Sequence, residues 1–131
     1  MTEIEIPFRD EFLEPIALGQ KIMTTRSKKY GEPGDVFWVP WRGMDVKLVL
    51  LAVFRTRLWH VAYQLHDAEG LRSPDDFIKV WNKIHPRKKY KETEQHNFWV
   101  HVFTPAEEWA IPIHVRKSLT CVPSIEAKRN E

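Results

Sequence analysis

The chain has 131 residues, 43% of them hydrophobic, with six tryptophans and seven phenylalanines, enough apolar material for one domain around a single core. Its formal charge of +2 is too small to argue for a nucleic-acid partner, so the placement of the cations matters more than their sum. No apolar run approaches the ~20 residues of a membrane span. The start lacks the pattern of a signal peptide, and Cys121 stands alone, which excludes an intramolecular disulfide and a cysteine metal cluster. A cytoplasmic, reducing setting is the expectation.

Taken in order, Glu3 to Phe8 alternates charged and apolar residues, the period of a half-buried edge strand broken at Pro7. Asp10 is placed to cap a helix that runs through Phe12, Leu13, Ile16 and Leu18, short or kinked because Pro15 removes a backbone donor. Gly19 falls where that helix ends, since glycine accepts the left-handed geometry of a C-terminal cap. Lys21, Thr24, Thr25 and Arg26 come next, and then a basic loop with Lys28, Lys29 and Tyr30 that closes on Pro33-Gly34-Asp35, a turn. Val36–Val39 is apolar on both faces and reads as a buried strand. After a turn at 41–45, Val46–Phe54 is long and β-branched, a central strand or a buried helix.

Residues 56–64 are ambiguous between a strand end and a short helix. His66–Leu71 reads as a loop feeding a helix that opens at Ser73-Pro74-Asp75-Asp76, a hydroxyl cap, an N-terminal proline and two acids facing the dipole. Phe77, Val80, Trp81 and Ile84 then mark one apolar face, and Pro86 ends it. Residues 87–96 form a polar loop holding Arg87, Lys88, Lys89, Tyr90 and Lys91. Phe98–Phe103 is a strand, 105–109 a turn of helix and 111–115 a last strand. The whole reads as one α+β domain over residues 1–123 with a polar tail at 124–131. It is a mostly antiparallel β-barrel of about five or six strands with two or three flanking helices.

This order of signals resembles the ASCH domains, a branch of the PUA-like β-barrel superfamily. The resemblance rests on the helix closing in Gly19, on Lys21 and Arg26 in the family's G-x-K-x-x-E-x-R pattern, and on the Gly34-Asp35 turn before an apolar strand. It extends to Ala68-Glu69-Gly70-Leu71 ahead of the Ser73-capped helix and to the aromatic strand at 98–103. Where the general pattern has Glu, this chain has Thr24. A lysine followed three residues on by threonine is similar to the small bacterial ASCH proteins that hydrolyse N4-acetylcytidine with a Lys, Thr and Glu set. That resemblance implies Lys21, Thr24 and Glu69 as catalytic residues. Ile22, Thr25 and the long 87–96 loop depart from that subgroup.

Amide cleavage needs a nucleophile, a base and a group that stabilises the oxyanion. Thr24 supplies a hydroxyl. Lys21 serves as base where burial or a neighbouring cation favours its neutral form. Glu69 orients it or relays a proton, and Arg26 holds an anion. In a strand Thr24 and Arg26 share a face from which Lys21 points away, so Lys21 must sit in the turn after Gly19 for the three to converge. Each residue also has an ordinary reading: a solvated helix-end lysine, strand threonines, a loop acid, a surface arginine.

The competing reading is an RNA or modified-base binding module, or a ribonuclease, that uses the cations Arg26, Lys28, Lys29, Arg87, Lys88, Lys89 and Lys91 with Tyr30, Trp38, Trp41 and Tyr90 as stacking faces, Tyr90 being the one expected to be exposed. Trp38 and Trp41 are core candidates near the same stretches. The six histidines show no H-x-E or H-E-x-x-H spacing, which leaves only a meeting of His60, His66 and His101 in space as a remote route to a zinc site, and no G-x-G-x-x-G or P-loop is present. The expectation is a monomer with no cofactor and no metal, acting on a modified nucleoside or on single-stranded or structured RNA, with no membrane partner.

Overall fold

A computed structural model describes the backbone of residues 2–112 and the side chains of residues 2–106. The tail at 124–131, Cys121 and residues 113–115 of the last expected strand lie outside the described residues. Four strands, β1 (Met23–Arg26), β2 (Val36–Trp41), β3 (Met44–Arg57) and β4 (Asn97–Pro112), form one antiparallel sheet in the order β1-β4-β3-β2. Register shifts between Val46 and Leu48 and between Leu50 and Ala52 bend β3, and the sheet curls into a half-barrel, as bulges permit. Three helices flank it: α1 (Asp10–Ala17), α2 (Leu58–Gln64) and α3 (Pro74–Ile84). The expected α+β, antiparallel class is what the structure has, with four strands among the described residues.

Three elements differ from the sequence reading. Glu3–Phe8 contributes only an isolated parallel bridge from Glu3 to Val36, because Pro7 cannot donate to a ladder. Residues 105–109 continue β4 rather than turning into helix; pairing with β3 from Leu48↔Pro105 to Met44↔Pro112 outweighs the local propensity. Asp10 is the first residue of α1 and Arg9 its cap, with no side-chain cap bond. The reading at α3 matches in detail: Ser73 accepts from the Asp76 backbone N–H at 3.1 Å. β2 and β3 join through Arg42-Gly43, both at positive φ (50° and 76°), the geometry of a two-residue hairpin turn.

The buried residues fall into two clusters. Ile6, Ile16, Phe37, Leu48, Leu50 and Phe103 pack beneath α1, while Met23, Leu58, Val61, Phe77, Trp81, Phe98 and Val100 pack beneath α2 and α3. Of the apolar face of α3, Phe77 and Trp81 are buried and Val80 and Ile84 only partly so. Those two face a cleft between α1 and α3.

The end of α1 sets the direction of the chain that leaves it. Gly19 has φ 74°; its N–H reaches the Ile16 carbonyl at 3.2 Å, and the Gln20 N–H reaches that of Pro15 at 2.8 Å, the two bonds of a Schellman cap. The Lys21 N–H also bonds to the Pro15 carbonyl, at 3.0 Å. A Cβ at Gly19 would meet nothing within 4 Å, so its backbone angle alone sets the cost of replacing it. Gly19→Ala is expected to lower stability by ~1–2 kcal/mol in urea unfolding, with Gly19→Asn costing less.

Candidate functional site

The cap delivers Lys21 to the interior. A second segment meets it there: the Ile22 N–H bonds to the Ala68 carbonyl at 2.9 Å, docking the loop before α3 beside the start of β1. Within that loop the Glu69 N–H reaches the Leu65 carbonyl at 3.3 Å and Gly70 that of Asp67 at 2.9 Å. Residues 48 positions apart are thereby brought into contact.

Lys21 Nζ lies 2.6 Å from Glu69 Oε1 and 3.3 Å from the Glu69 carbonyl oxygen. The Thr25 hydroxyl donates to the other carboxylate oxygen, Oε2, at 2.6 Å. Lys21, Thr25 and Glu69 are 5%, 6% and 7% exposed, so this is a buried relay rather than a surface ion pair. Such a pair costs several kcal/mol of desolvation per ion unless each charge is well matched. Here the carboxylate has a partner on each oxygen, and the ammonium lies 5.2 Å from the Phe12 ring centre.

Arg26 is fixed from four sides. Its Nε donates to Thr24 Oγ1 at 3.0 Å and one terminal nitrogen donates to the Pro7 carbonyl at 2.5 Å; the guanidinium lies 4.9 Å from the Phe8 ring centre and 5.4 Å from that of Tyr30. Burial lowers its pKa, while Tyr30 and Glu69 work the other way, and a guanidinium remains charged under any working condition. Beneath it His101 is fully buried. The Tyr30 N–H donates to His101 Nε2 at 3.0 Å, which requires the proton on Nδ1, facing the Thr24 carbonyl 3.4 Å away. His101 thus ties the basic loop to the backbone of β1.

Lys21, Thr24, Thr25, Arg26 and Glu69 all line one cleft of about 160 Å³, walled by Phe8 and Phe12 on one side and by Phe77, Trp81 and His85 of α3 and its cap on the other. Its volume is close to the roughly 150 Å³ of a cavity that accepts a benzene ring. The rings of Trp81 and His85 stack on each other at 3.9 Å within this wall.

The structure brings Lys21, Thr24, Arg26 and Glu69 together in this cleft, but Thr24 pairs with Arg26, and the hydroxyl on Glu69 belongs to Thr25. Extended backbone sets Lys21, Met23 and Thr25 on one side of the chain, and the same parity that turned Lys21 away from Thr24 pointed to Thr25. Both threonines reach the cleft because β1 is a terminal strand of the sheet among the described residues and the cleft runs along its outer side. Trp81 and His85 carried no signal of their own: one reads as core and the other as a helix end.

The remaining residues with predicted roles lie elsewhere. Lys28 Nζ sits 4.8 Å from the Tyr30 ring centre; Lys29 pairs with Glu32 and lies 5.2 Å from the Trp99 ring centre. Arg87, Lys88, Lys89 and Lys91 line a separate groove of about 300 Å³ with Glu94, His96 and Phe98, not the cleft itself. Tyr90 is not the exposed face the sequence suggested: its ring packs on the second core cluster and its N–H bonds to Asn82 Oδ1 at 2.7 Å. Tyr30 is half-buried against the first cluster. Trp38 and Trp41 are only partly buried. His60 contacts Thr56 Oγ1, His66 the Ala62 carbonyl and His101 the Thr24 carbonyl and the Tyr30 N–H. Among the described residues no group of three acids, histidines or cysteines is placed to hold a metal, and no helix is long and apolar enough to cross a membrane.

Burial lowers the pKa of His101, and it lowers that of His85 as well. A histidine whose folded pKa is depressed binds fewer protons folded than unfolded, so stability falls as pH drops below the ordinary histidine value of about 6.5. Urea midpoints are expected to be level above pH 7 and to decline between about pH 6.5 and 5. His101→Gln should flatten that decline while lowering the plateau.

No protein-family model matches the chain, and no curated protein matches it. Solved structures do. ZmASCH from Zymomonas mobilis is 13% identical with a TM-score of 0.57, over 93% of this chain and 84% of that one. A Pyrococcus furiosus protein, PF0455, solved in solution, is 21% identical with a TM-score of 0.53 over 81% and 99%. The hypothetical protein PH0355 is 16% identical, with a TM-score of 0.53 over 76% and 94%. The chain shares its fold with an ASCH protein, as its sequence order implied.

Proposed function

We propose that this protein is an amidohydrolase that removes the acyl group from an N4-acylated cytidine-type nucleoside. The observation that carries the reading is the buried Lys21–Glu69–Thr25 relay at the base of a ring-sized aromatic cleft. A pocket with a few convergent buried polar groups is a functional-site candidate on physical grounds, and the resemblance implies two of the three relay residues, Lys21 and Glu69, with Thr24 in place of Thr25. The fold alone supports no particular chemistry.

In this reading the pyrimidine ring slots against the Trp81–His85 wall, and the acyl carbon comes to Thr25 Oγ1. As that oxygen attacks, its proton passes to Glu69 Oε2, already 2.6 Å away. Lys21 Nζ, on Oε1, passes a proton to the departing N4 amine and is resupplied through Glu69. Water then attacks the threonyl ester by the reverse route and releases the carboxylic acid. Arg26, held on Thr24, faces the negative charge that develops on the carbonyl oxygen. The nucleophile proposed is therefore Thr25 rather than the Thr24 of the sequence resemblance, because its hydroxyl is the one with a proton acceptor in place.

A second reading, an RNA or modified-base binder without turnover, or more remotely a ribonuclease, is favoured by the cationic groove at 87–91. One set of assays separates them. Conversion of N4-acetylcytidine to cytidine, followed by absorbance, should be lost by ~100-fold or more in Thr25→Ala, Lys21→Ala and Glu69→Gln, with a smaller loss in Thr24→Ala. Equal loss in Thr24→Ala and none in Thr25→Ala would return the role to Thr24. A folded wild type that binds RNA in a salt-dependent, Lys88- and Lys89-dependent way yet turns over no amide would replace the enzyme reading with the binder.

A further inference from the structure

The Lys21–Glu69 pair faces two hollows, not one. Besides the aromatic cleft, a second concavity of about 250 Å³ lies between α1 and α3 and is lined by Glu11, Pro15, Gly70 and Lys83, together with Phe12, Lys21, Glu69, Leu71 and Val80. Those last five residues line the first cleft as well, so the two hollows meet at the pair. Inside, the second one is walled by Phe12, Pro15, Leu71 and Val80 with the ammonium and carboxylate at its base. Its mouth is crossed by Lys83 and Glu11, whose charged groups stand 4.0 Å apart on opposite helices and are 67% and 44% exposed.

An amide that reacts at this pair has two substituents to place, the ring on its nitrogen and the chain on its carbonyl carbon. The 160 Å³ cleft has room for the ring. The second hollow, of about 250 Å³, has mostly apolar walls with charged groups at its base and mouth, and a single acetyl methyl would leave most of it unfilled. We infer that the 250 Å³ hollow between α1 and α3 is an acyl pocket, and that the substrate class is cytidine-type amides of medium-chain carboxylic acids, about four to six carbons long, in preference to acetyl. This rests on the amidohydrolase reading. The Glu11–Lys83 pair sets the chain length by standing over the far end.

The test measures both turnover and calorimetric binding for cytidine amides carrying acetyl, butyryl and hexanoyl chains. Each buried methylene is expected to raise kcat/KM and tighten binding by roughly two- to fourfold. Lys83→Trp, which lays an indole over the mouth, should reduce the hexanoyl advantage to within about twofold of acetyl. Glu11→Trp closes the same mouth from the other helix and serves if Lys83→Trp fails to fold. Acetyl turnover with no dependence on chain length, or an advantage that survives both tryptophan variants, overturns the acyl pocket and leaves the hydrolase. Length-dependent binding without any turnover supports the pocket and overturns the hydrolase. No binding by any amide overturns both.

Discussion

The structure depends on placing a lysine and a glutamate side by side where water scarcely reaches. Lys21 and Glu69, 2.6 Å apart and nearly buried, each lose hydration worth several kcal/mol, and their attraction repays it only with good geometry and further hydrogen bonds. Every nearby feature supplies such a bond or fixes such an angle. The Schellman cap at Gly19 turns Lys21 inward. The Ile22–Ala68 bond brings up the glutamate's loop, and Thr25 takes the second oxygen. An apolar pair of similar volume would often be as stable or more so. Stability alone therefore does not account for two charges at this point, and this is what the proposed catalytic role explains.

The two core clusters explain why the pair is reachable at all. α1 packs on one cluster, α2 and α3 on the other, and between α1 and α3 neither cluster fills the space. The half-buried Val80 and Ile84 face that gap instead of the core. Arg26, drawn against Phe8, Tyr30 and the Pro7 carbonyl, closes its near end and puts a permanent cation beside the relay. The cleft is thus a consequence of how the helices sit on a bent sheet, and its polarity comes from Thr24, Thr25 and Arg26 of the short strand β1 together with Lys21 and Glu69 beside it.

Much of this was legible beforehand, for identifiable reasons. The Ser73 cap, the proline after it and the spacing of Phe77 and Trp81 are local signals, and they held. Gly19 announced a cap, and the order of turns and apolar runs announced the antiparallel class. Apart from the cap at Asp10 and the edge strand before Pro7, what failed was non-local. Residues 105–109 pair with their β3 partners rather than obeying their own propensity. Tyr90, in a loop of cations, is pulled onto the second core cluster and held by Asn82. The partner of Glu69 turned on which side of an edge strand a threonine faces. Parity contained that answer once the loop at 65–71 had been placed beside β1, a placement fixed by the Ile22–Ala68 bond rather than by any motif.

The central claim is that Lys21 and Glu69 act as one energetic unit. A double-mutant cycle in urea unfolding with Lys21→Met, Glu69→Gln and the combined variant measures it. Each single change should cost ~3–5 kcal/mol by stranding a buried partner, and the double variant should cost less than their sum by at least ~1 kcal/mol. Costs that add within ~0.5 kcal/mol would show two independent side chains and contradict the account.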